Sequence, residues 1–319
     1  MNNFEYASPA TIQEAAALLG SSWDSAAVLA GGTDLLSLMK DYLYSPKRVV
    51  NIKGIKELGG IEKSAAGVRI GATVTLEELM ENEVIRTELP ALAQAARGVH
   101  SMQIRNMRTV GGDLCQRPHC WYFRQGFGLL SDFVESGRNE FHAIFSNGKA
   151  RFVSASSLGP PLTALGARIK LVSAKGNREV PAEKFFVEPA AEGEREIAMR
   201  PDEILTEVIV PVGTRNATYE IRQKTALDWP LATASVALQV KGTAVASARI
   251  VLGHVAPTPW VAGGAAKAVA GKTINESVAA AAGKAAVEDA RPLSENGYKV
   301  QLVQTAVKRA LLEAARRKT

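Results

Sequence analysis

Cysteine, histidine and long apolar runs are all scarce in this chain, and each scarcity removes a class of protein. Cys115 and Cys120 are the only cysteines among 319 residues, with the turn-forming Pro118 between them. Two thiols cannot staple a chain this long, so a hydrophobic core must hold it, and a reducing, intracellular setting is expected. Four histidines leave little for acid–base chemistry on an organic substrate. Neither a Ser-His-Asp set nor a paired-carboxylate site emerges. No stretch approaches the roughly 18 apolar residues of a membrane-crossing helix. The opening Met1-Asn2-Asn3-Phe4-Glu5 has neither a basic leader nor an apolar core, so a cleaved secretory signal is not expected. The expected location is cytoplasmic, with export as the passenger of a partner left open. Internal repeats and low-complexity segments are missing too.

Apolar residues are plentiful at 46% of the chain, enough for one large or two medium cores, and two domains are expected. The net charge of +6 is unevenly placed. Residues 217–319 hold 14 Lys/Arg against 7 Asp/Glu, and residues 1–216 hold 24 against 25. The basic excess therefore lies in the last third, as a solvated surface or as a docking face for an acidic partner protein. Nucleic-acid binding is not expected, because no basic run is interleaved with aromatics.

Along the chain, Phe4-Glu5-Tyr6 reads as a short strand, and Thr11 with Glu14 has capping-box spacing. Residues 26–30 read as a buried strand, residues 34–40 as a helix and residues 48–52 as a strand. Strand, helix, strand, helix, strand within about 50 residues predicts a small parallel α/β unit. The pattern then changes. Residues 60–71 suggest a hairpin around Ala65-Ala66-Gly67, and Thr75 with Glu78 opens another helix. A helix is predicted over 89–97, strands over 167–173 and 204–210, and little periodicity over 98–160. Pro211-Val212-Gly213-Thr214 is a natural break. Beyond it come a hairpin over 234–253 and helices near 260–270, 276–289 and 298–317. Val300, Val303, Val307, Leu311 and Leu312 line one face of the last helix, and Arg316, Arg317 and Lys318 close it.

The most informative stretch is Leu29-Ala30-Gly31-Gly32-Thr33-Asp34-Leu35. Two glycines between an apolar strand and a helix let the backbone turn tightly and let a bulky anion approach its amides. The N–H groups of Gly32, Thr33 and Asp34 would then face a diphosphate. A plain strand-to-helix turn is the alternative for a Gly pair alone. The spacing is neither the Rossmann fingerprint nor a P-loop. Thr109-Val110-Gly111-Gly112-Asp113 is a second stretch of the same kind. Two separated loops suit a dinucleotide-sized ligand better than a mononucleotide.

Together these stretches resemble the flavoprotein family that includes the FAD domain of xanthine dehydrogenase and the medium subunits of molybdenum hydroxylases. The resemblance extends through Ile70-Gly71-Ala72-Thr73-Val74-Thr75, Pro201-Asp202-Glu203-Ile204-Leu205-Thr206 and Gly253-His254-Val255-Ala256-Pro257-Thr258-Pro259, and so spans nearly the whole chain. It implies an α+β fold: a two-lobed FAD-binding domain over 1–213, with lobes of about 1–57 and 58–213, and a smaller C-terminal domain over 217–319. It implies FAD held by Leu29, Ala30, Gly31, Gly32, Thr33, Asp34 and Leu35, and by Thr109, Gly111, Gly112 and Asp113. Leu205 is implied to pack near the flavin ring.

Some related medium subunits hold a [4Fe–4S] cluster on four cysteines in an insert that follows a segment like Cys115-Gln116-Arg117-Pro118-His119-Cys120-Trp121. An iron–sulfur cluster needs four soft ligands. Here His119 and His142 would have to complete the set, so no cluster is expected. Two further departures concern the flavin edge. Ser157 stands where an aspartate is common, and Glu220 where a lysine is common, which leaves Arg222 or Lys224 to supply the cation.

The implied function is an FAD-carrying, electron-transferring subunit. Its expected partners are a molybdopterin-binding large subunit, a [2Fe–2S] small subunit and an external electron acceptor. No residue here is expected to act as catalytic acid or base on the substrate. Two rivals remain: a stand-alone flavin oxidase, and a non-catalytic nucleotide-binding or assembly protein. Flavin bands in the purified chain separate the second from the rest, and co-purifying subunits address the first.

Overall fold

The computed structural model describes residues 1–224 and 228–317. Lys318, expected among the closing cations of the last helix, lies outside them. Three sheets organise the described residues. Strands β1 (Glu5–Ala7), β2 (Ala27–Leu29) and β3 (Arg48–Asn51) form a parallel sheet in the order β1-β3-β2. The strands are short, and the small core beneath them gathers Ala15, Ala16, Val50, Ile52, Ile55 and Leu58. At the Thr11 cap only half of the expected box forms. Thr11 Oγ1 accepts from the Glu14 N–H, while Glu14 Oε2 turns back to the Ala10 N–H.

The second sheet is antiparallel, in the order β4-β5-β8-β6-β7. It comprises β4 (Ile61–Ser64), β5 (Gly67–Gly71), β6 (Arg168–Ser173), β7 (Gly176–Pro181) and β8 (Ile204–Val210). The Thr75 capping box is complete: Thr75 Oγ1 accepts from Glu78 N–H at 3.2 Å, and Glu78 Oε2 accepts from Thr75 N–H at 2.7 Å. That cap starts the helix Leu76–Glu81. Its Leu76 and Leu79 enter a core shared with the helix Pro90–Gly98 and the sheet. Each such leucine contributes roughly 1.5–3 kcal/mol.

Beyond residue 98, where the sequence shows little periodicity, lie short helices at Met102–Met107, Val110–Cys115, Trp121–Arg124, Phe133–Ser136 and Gly159–Ala164. None exceeds two turns, and so short a helix leaves no readable stripe.

The third sheet, order β12-β11-β10-β9, is antiparallel: β9 (Arg215–Ile221), β10 (Ala232–Lys241), β11 (Ala244–Gly253) and β12 (Trp260–Val261). The helix Tyr298–Arg316 packs across it. Val303, Ala306, Val307, Ala310, Leu311 and Ala314 recur at three- and four-residue spacing and are fully buried. Val300 and Leu312, expected on the same stripe, are only partly buried at its edge. Trp260 is a correction to the sequence expectation. It does not open a helix but pairs with Leu252 in β12 and stacks on Phe145 with ring centroids 5.0 Å apart. Pro257 and Pro259 favour extended backbone before them, and the helix waits until Gly263–Val269.

Candidate functional site

A cleft of about 1100 Å³, open side included, runs between the parallel sheet and the antiparallel sheet β4–β8. Of the residues singled out in the sequence, Ala30, Gly31, Gly32, Thr33, Asp34, Leu35, Thr109, Gly111, Gly112 and Leu205 line it. Two loops distant in sequence thus meet at one wall.

Local geometry explains why each loop needs glycine. Gly31 packs so tightly on the second segment that a β-carbon there would lie 1.7 Å from the Met107 carbonyl oxygen. Gly32 has φ +73°, a left-handed conformation that L side chains resist. After this turn Leu36 N–H donates to Gly32 O and Leu38 N–H to Asp34 O. Among the described residues, nothing accepts from the N–H groups of Gly32, Thr33 and Asp34. Three consecutive free donors on a cleft wall suit an anion.

The second loop is arranged differently. Thr109 Oγ1 accepts from Gly112 N–H at 3.1 Å and caps the helix Val110–Cys115. Gly111 N–H donates to Ala72 O, and Val110 N–H to Val74 O. These bonds tie the loop to the Ile70–Thr75 motif, which buttresses it. With its amides engaged, the second loop packs against the wall: a β-carbon on Gly111 would lie 3.1 Å from the Ala72 Cβ and carbonyl oxygen.

Charged side chains frame the cleft. Arg117 and Arg195 line it, and both lie on the buried Glu196, at 2.6 Å and 3.8 Å. Arg195 also covers the Trp23 ring at 4.2 Å. Burial lowers the Arg117 pKa. Burial pushes the Cys115 thiol up to about 12, so it is a neutral wall. Asp34 faces two ways: its backbone belongs to the donor loop, while its carboxylate accepts from Arg117 N–H at 2.8 Å and Arg124 Nη2 at 2.7 Å. Beneath Leu205, Glu203 is 2% exposed. Burial alone would raise its pKa, but hydrogen bonds from Arg178 and the Arg200 amide outweigh this and lower it.

Four residues singled out in the sequence are not on the cleft wall. Leu29 ends β2 and packs behind Gly32. Asp113 is fully buried, accepting from Ser156 Oγ at 2.7 Å and Leu158 N–H at 2.9 Å, with Arg108 at 3.7 Å. Ser157 is buried and donates its N–H to Asp113 at 3.3 Å. Arg222 is paired with the partly buried Glu220 at 2.6 Å and donates to the Asp228 carbonyl. Asp113 therefore already satisfies the amides that follow Ser156, and Glu220 holds Arg222 away from the cleft. His100 is exposed and off the wall.

Trp23, Tyr44, Arg117, Arg195, Ile197 and Met199 are wall residues that sequence reasoning missed. They sit in segments without periodicity or glycine pairs, and no local signal marks them.

The two cysteines stand apart. Cys115 Sγ lies 3.5 Å from Met199 Sδ, and Cys120 Sγ lies 3.2 Å from His142 Nε2. Cys120 and Phe123 pack on a small apolar cluster of Leu129, Ala150 and Phe152. Among the described residues no group of three or more His, Cys, Asp or Glu is placed to hold a metal. Nor is any helix among them long and apolar enough to cross a membrane.

Comparison with known proteins bears on this geometry. Residues 2–213 match the family described as the FAD binding domain in molybdopterin dehydrogenase. Residues 217–314 match the CO dehydrogenase flavoprotein C-terminal domain. The chain is 30% identical over 316 residues to the carbon monoxide dehydrogenase medium chain of Hydrogenophaga pseudoflava, covering 97% of this chain and 96% of that protein. It is 27% identical to the aldehyde oxidoreductase FAD-binding subunit of Escherichia coli, covering 98% and 99%. A structure of carbon monoxide dehydrogenase from H. pseudoflava lacking the Mo-pyranopterin moiety superposes with a TM-score of 0.76 at 30% identity, covering 98% and 97%. Quinoline 2-oxidoreductase from Pseudomonas putida gives 0.78 at 25% identity, covering 99% and 98%.

Proposed function

The chain belongs to the molybdopterin-dehydrogenase FAD-binding family, with the CO dehydrogenase flavoprotein C-terminal domain behind it, and from that premise we propose that it carries FAD and passes electrons from [2Fe–2S] centres on a small partner subunit to an external acceptor. A molybdopterin-binding large subunit would oxidise the substrate. The single observation that carries the cofactor assignment is the row of free N–H groups at Gly32, Thr33 and Asp34 on the cleft wall.

FAD, when bound, supplies the redox chemistry. The chain's own residues bind and orient it. The first loop presents donors to the diphosphate, and Gly111 and Gly112 let the ligand approach the second. Leu205 gives an apolar face, and Arg117 and Arg195 add positive charge near the phosphates. Leu29, Asp113, Ser157 and Arg222 brace this wall from behind. In this reading the division into two domains near residue 213, with lobes meeting near residue 57, places the cleft between the lobes of the first. The basic excess of residues 217–319 favours encounter with an acidic partner surface, an effect that weakens with salt.

The test is purification of the chain alone and in complex. The chain alone should show flavin bands, release FAD rather than FMN on denaturation, and carry iron and acid-labile sulfide near background. It should not bleach its flavin when offered a substrate that reduces the assembled complex. Rapid reduction of the flavin in the isolated chain would overturn the relay and favour a stand-alone oxidase.

A further inference from the structure

A second recess, of about 750 Å³ with its open side, sits between the segment of residues 119–155 and the β9–β12 unit. It shares no lining residue with the cleft, and its size is that of a small-molecule site. Its walls are aromatic. Trp121 and Phe141 meet edge to face at 5.6 Å, and Trp229 on the opposite loop carries His119 at 4.3 Å. Arg108 covers Trp229 at 5.3 Å.

Its floor is polar and buried. His254 and Lys299 line the recess with 2% and 1% exposure. Lys299 Nζ donates to Phe141 O at 2.8 Å and His254 O at 3.0 Å, which leaves one of its three N–H groups over. No acid side chain pairs with it among the described residues, and burial alone pushes its pKa down to about 7. His254 has φ +60°, a strained conformation for a non-glycine residue. Its Nδ1 lies 3.1 Å from Thr233 Oγ1, while Nε2 has no partner. If the Thr233 hydroxyl donates to Nδ1, Nε2 carries the proton and is a free donor. Among the described residues Asp228 is the one acid on the wall, and its Oδ2 accepts from Lys224 N–H at 3.2 Å. A stitch between two segments would account for the two Lys299 bonds to carbonyls. It does not account for an orphaned, strained histidine beside an unpaired buried cation.

We propose that this recess binds a planar aromatic monoanion, a single or fused ring bearing a carboxylate, with the ring against Trp229 and the Trp121–Phe141 pair and the carboxylate accepting from Lys299 Nζ and His254 Nε2. Both donors belong to residues that line the same recess, and its aromatic walls favour a flat ring over an aliphatic chain.

The purified full-length chain is titrated with benzoate and 2-naphthoate by calorimetry and tryptophan fluorescence, with benzamide as the uncharged control. Saturable binding of the carboxylates is expected, with benzamide at least about tenfold weaker. Lys299→Met and Trp229→Leu should each weaken binding by about tenfold or more, while Lys308→Met, a half-exposed lysine on the same helix that pairs with Glu276 away from the recess, should not. Should Lys299→Met fail to fold, Trp229→Leu decides alone. No saturation up to about 10 mM, equal binding of benzamide, or unchanged affinity in the variants that fold would overturn the assignment.

Discussion

Gly31 and Met107 hold the two glycine loops against each other. The Met107 carbonyl oxygen would stand 1.7 Å from a β-carbon on Gly31, and the Arg108 Cα 3.2 Å away. Both neighbours are backbone, so neither can swing aside. Gly31→Ala should therefore push the loops apart, costing about 1–3 kcal/mol of stability and releasing FAD during gel filtration. Flavin absorbance per chain is the measurement. Wild-type retention at wild-type stability would mean that the loops need not touch.

Gly32 acts through conformation. At φ +73° an alanine pays about 1–2 kcal/mol in backbone strain. A valine adds crowding, because the first β-carbon already meets Leu36 Cδ1 at 3.1 Å and Leu29 Cδ1 at 3.2 Å. FAD affinity should fall in the order Gly, Ala, Val, with the valine variant weaker by at least about 2 kcal/mol. Equal affinities across the series would remove the first loop as the cradle.

Asp34 joins the first loop to the segment that carries both arginines. Its carboxylate and the Arg124 guanidinium are 12% and 15% exposed, so the pair is only weakly screened. Asp34→Ala takes the carboxylate from Arg124, which keeps only the Pro118 and Arg117 carbonyls, and leaves the Arg117 amide without its acceptor, and should cost about 2–3 kcal/mol. Asp34→Asn keeps an oxygen for the amide and should cost less. Urea midpoints give the energies, and trypsin should cut after Arg124 faster in the alanine variant, Arg117 being shielded by the Pro118 that follows it. Unchanged midpoints and cleavage would show that this tie holds nothing.

The parallel unit was legible because β2 and β3 carry short apolar runs bounded by turn signals, and the Gly31-Gly32 pair marks its functional edge. The Thr75 box was legible because a cap is a local event between residues three apart. What could not be read is what distant contacts decide. Asp113 looks like a loop residue poised at a ligand, yet Ser156 and the Leu158 amide, more than forty residues on, draw its carboxylate inward. Arg222 looks like a replacement cation, yet Glu220 two residues earlier claims it. The strand β9 was missed because its alternation is weak: three consecutive buried positions, Asn216, Ala217 and Thr218, include two polar residues whose partners, Gln94 and Glu88 among them, come from the helix Pro90–Gly98 and just before it.

Acid should unfold this protein early, and the histidines give the sign. Burial first, then the Lys299 charge, lowers the His142 pKa to about 4. Burial, then Arg222 and Lys299, lowers that of His254 to about 3. In the unfolded chain both titrate near 6.5. Between about pH 6.5 and 4 the unfolded state therefore binds more protons than the folded one, and stability falls as the pH falls through that window. Each unit of separation corresponds to about 1.4 kcal/mol, so the two histidines together remove on the order of several kcal/mol by pH 4. The lowered carboxylates Glu203 and Glu207 lose their contribution only below the ordinary carboxylate value of 4.5, so a decline beginning near pH 6.5 cannot come from them. His142→Gln cannot take up a proton in either state. Its urea midpoint should fall less between pH 7 and pH 4.5 than that of the parent, even if it starts lower at pH 7 through loss of the Cys120 contact. Parallel pH dependences in parent and variant would mean that His142 takes up its proton as readily folded as unfolded.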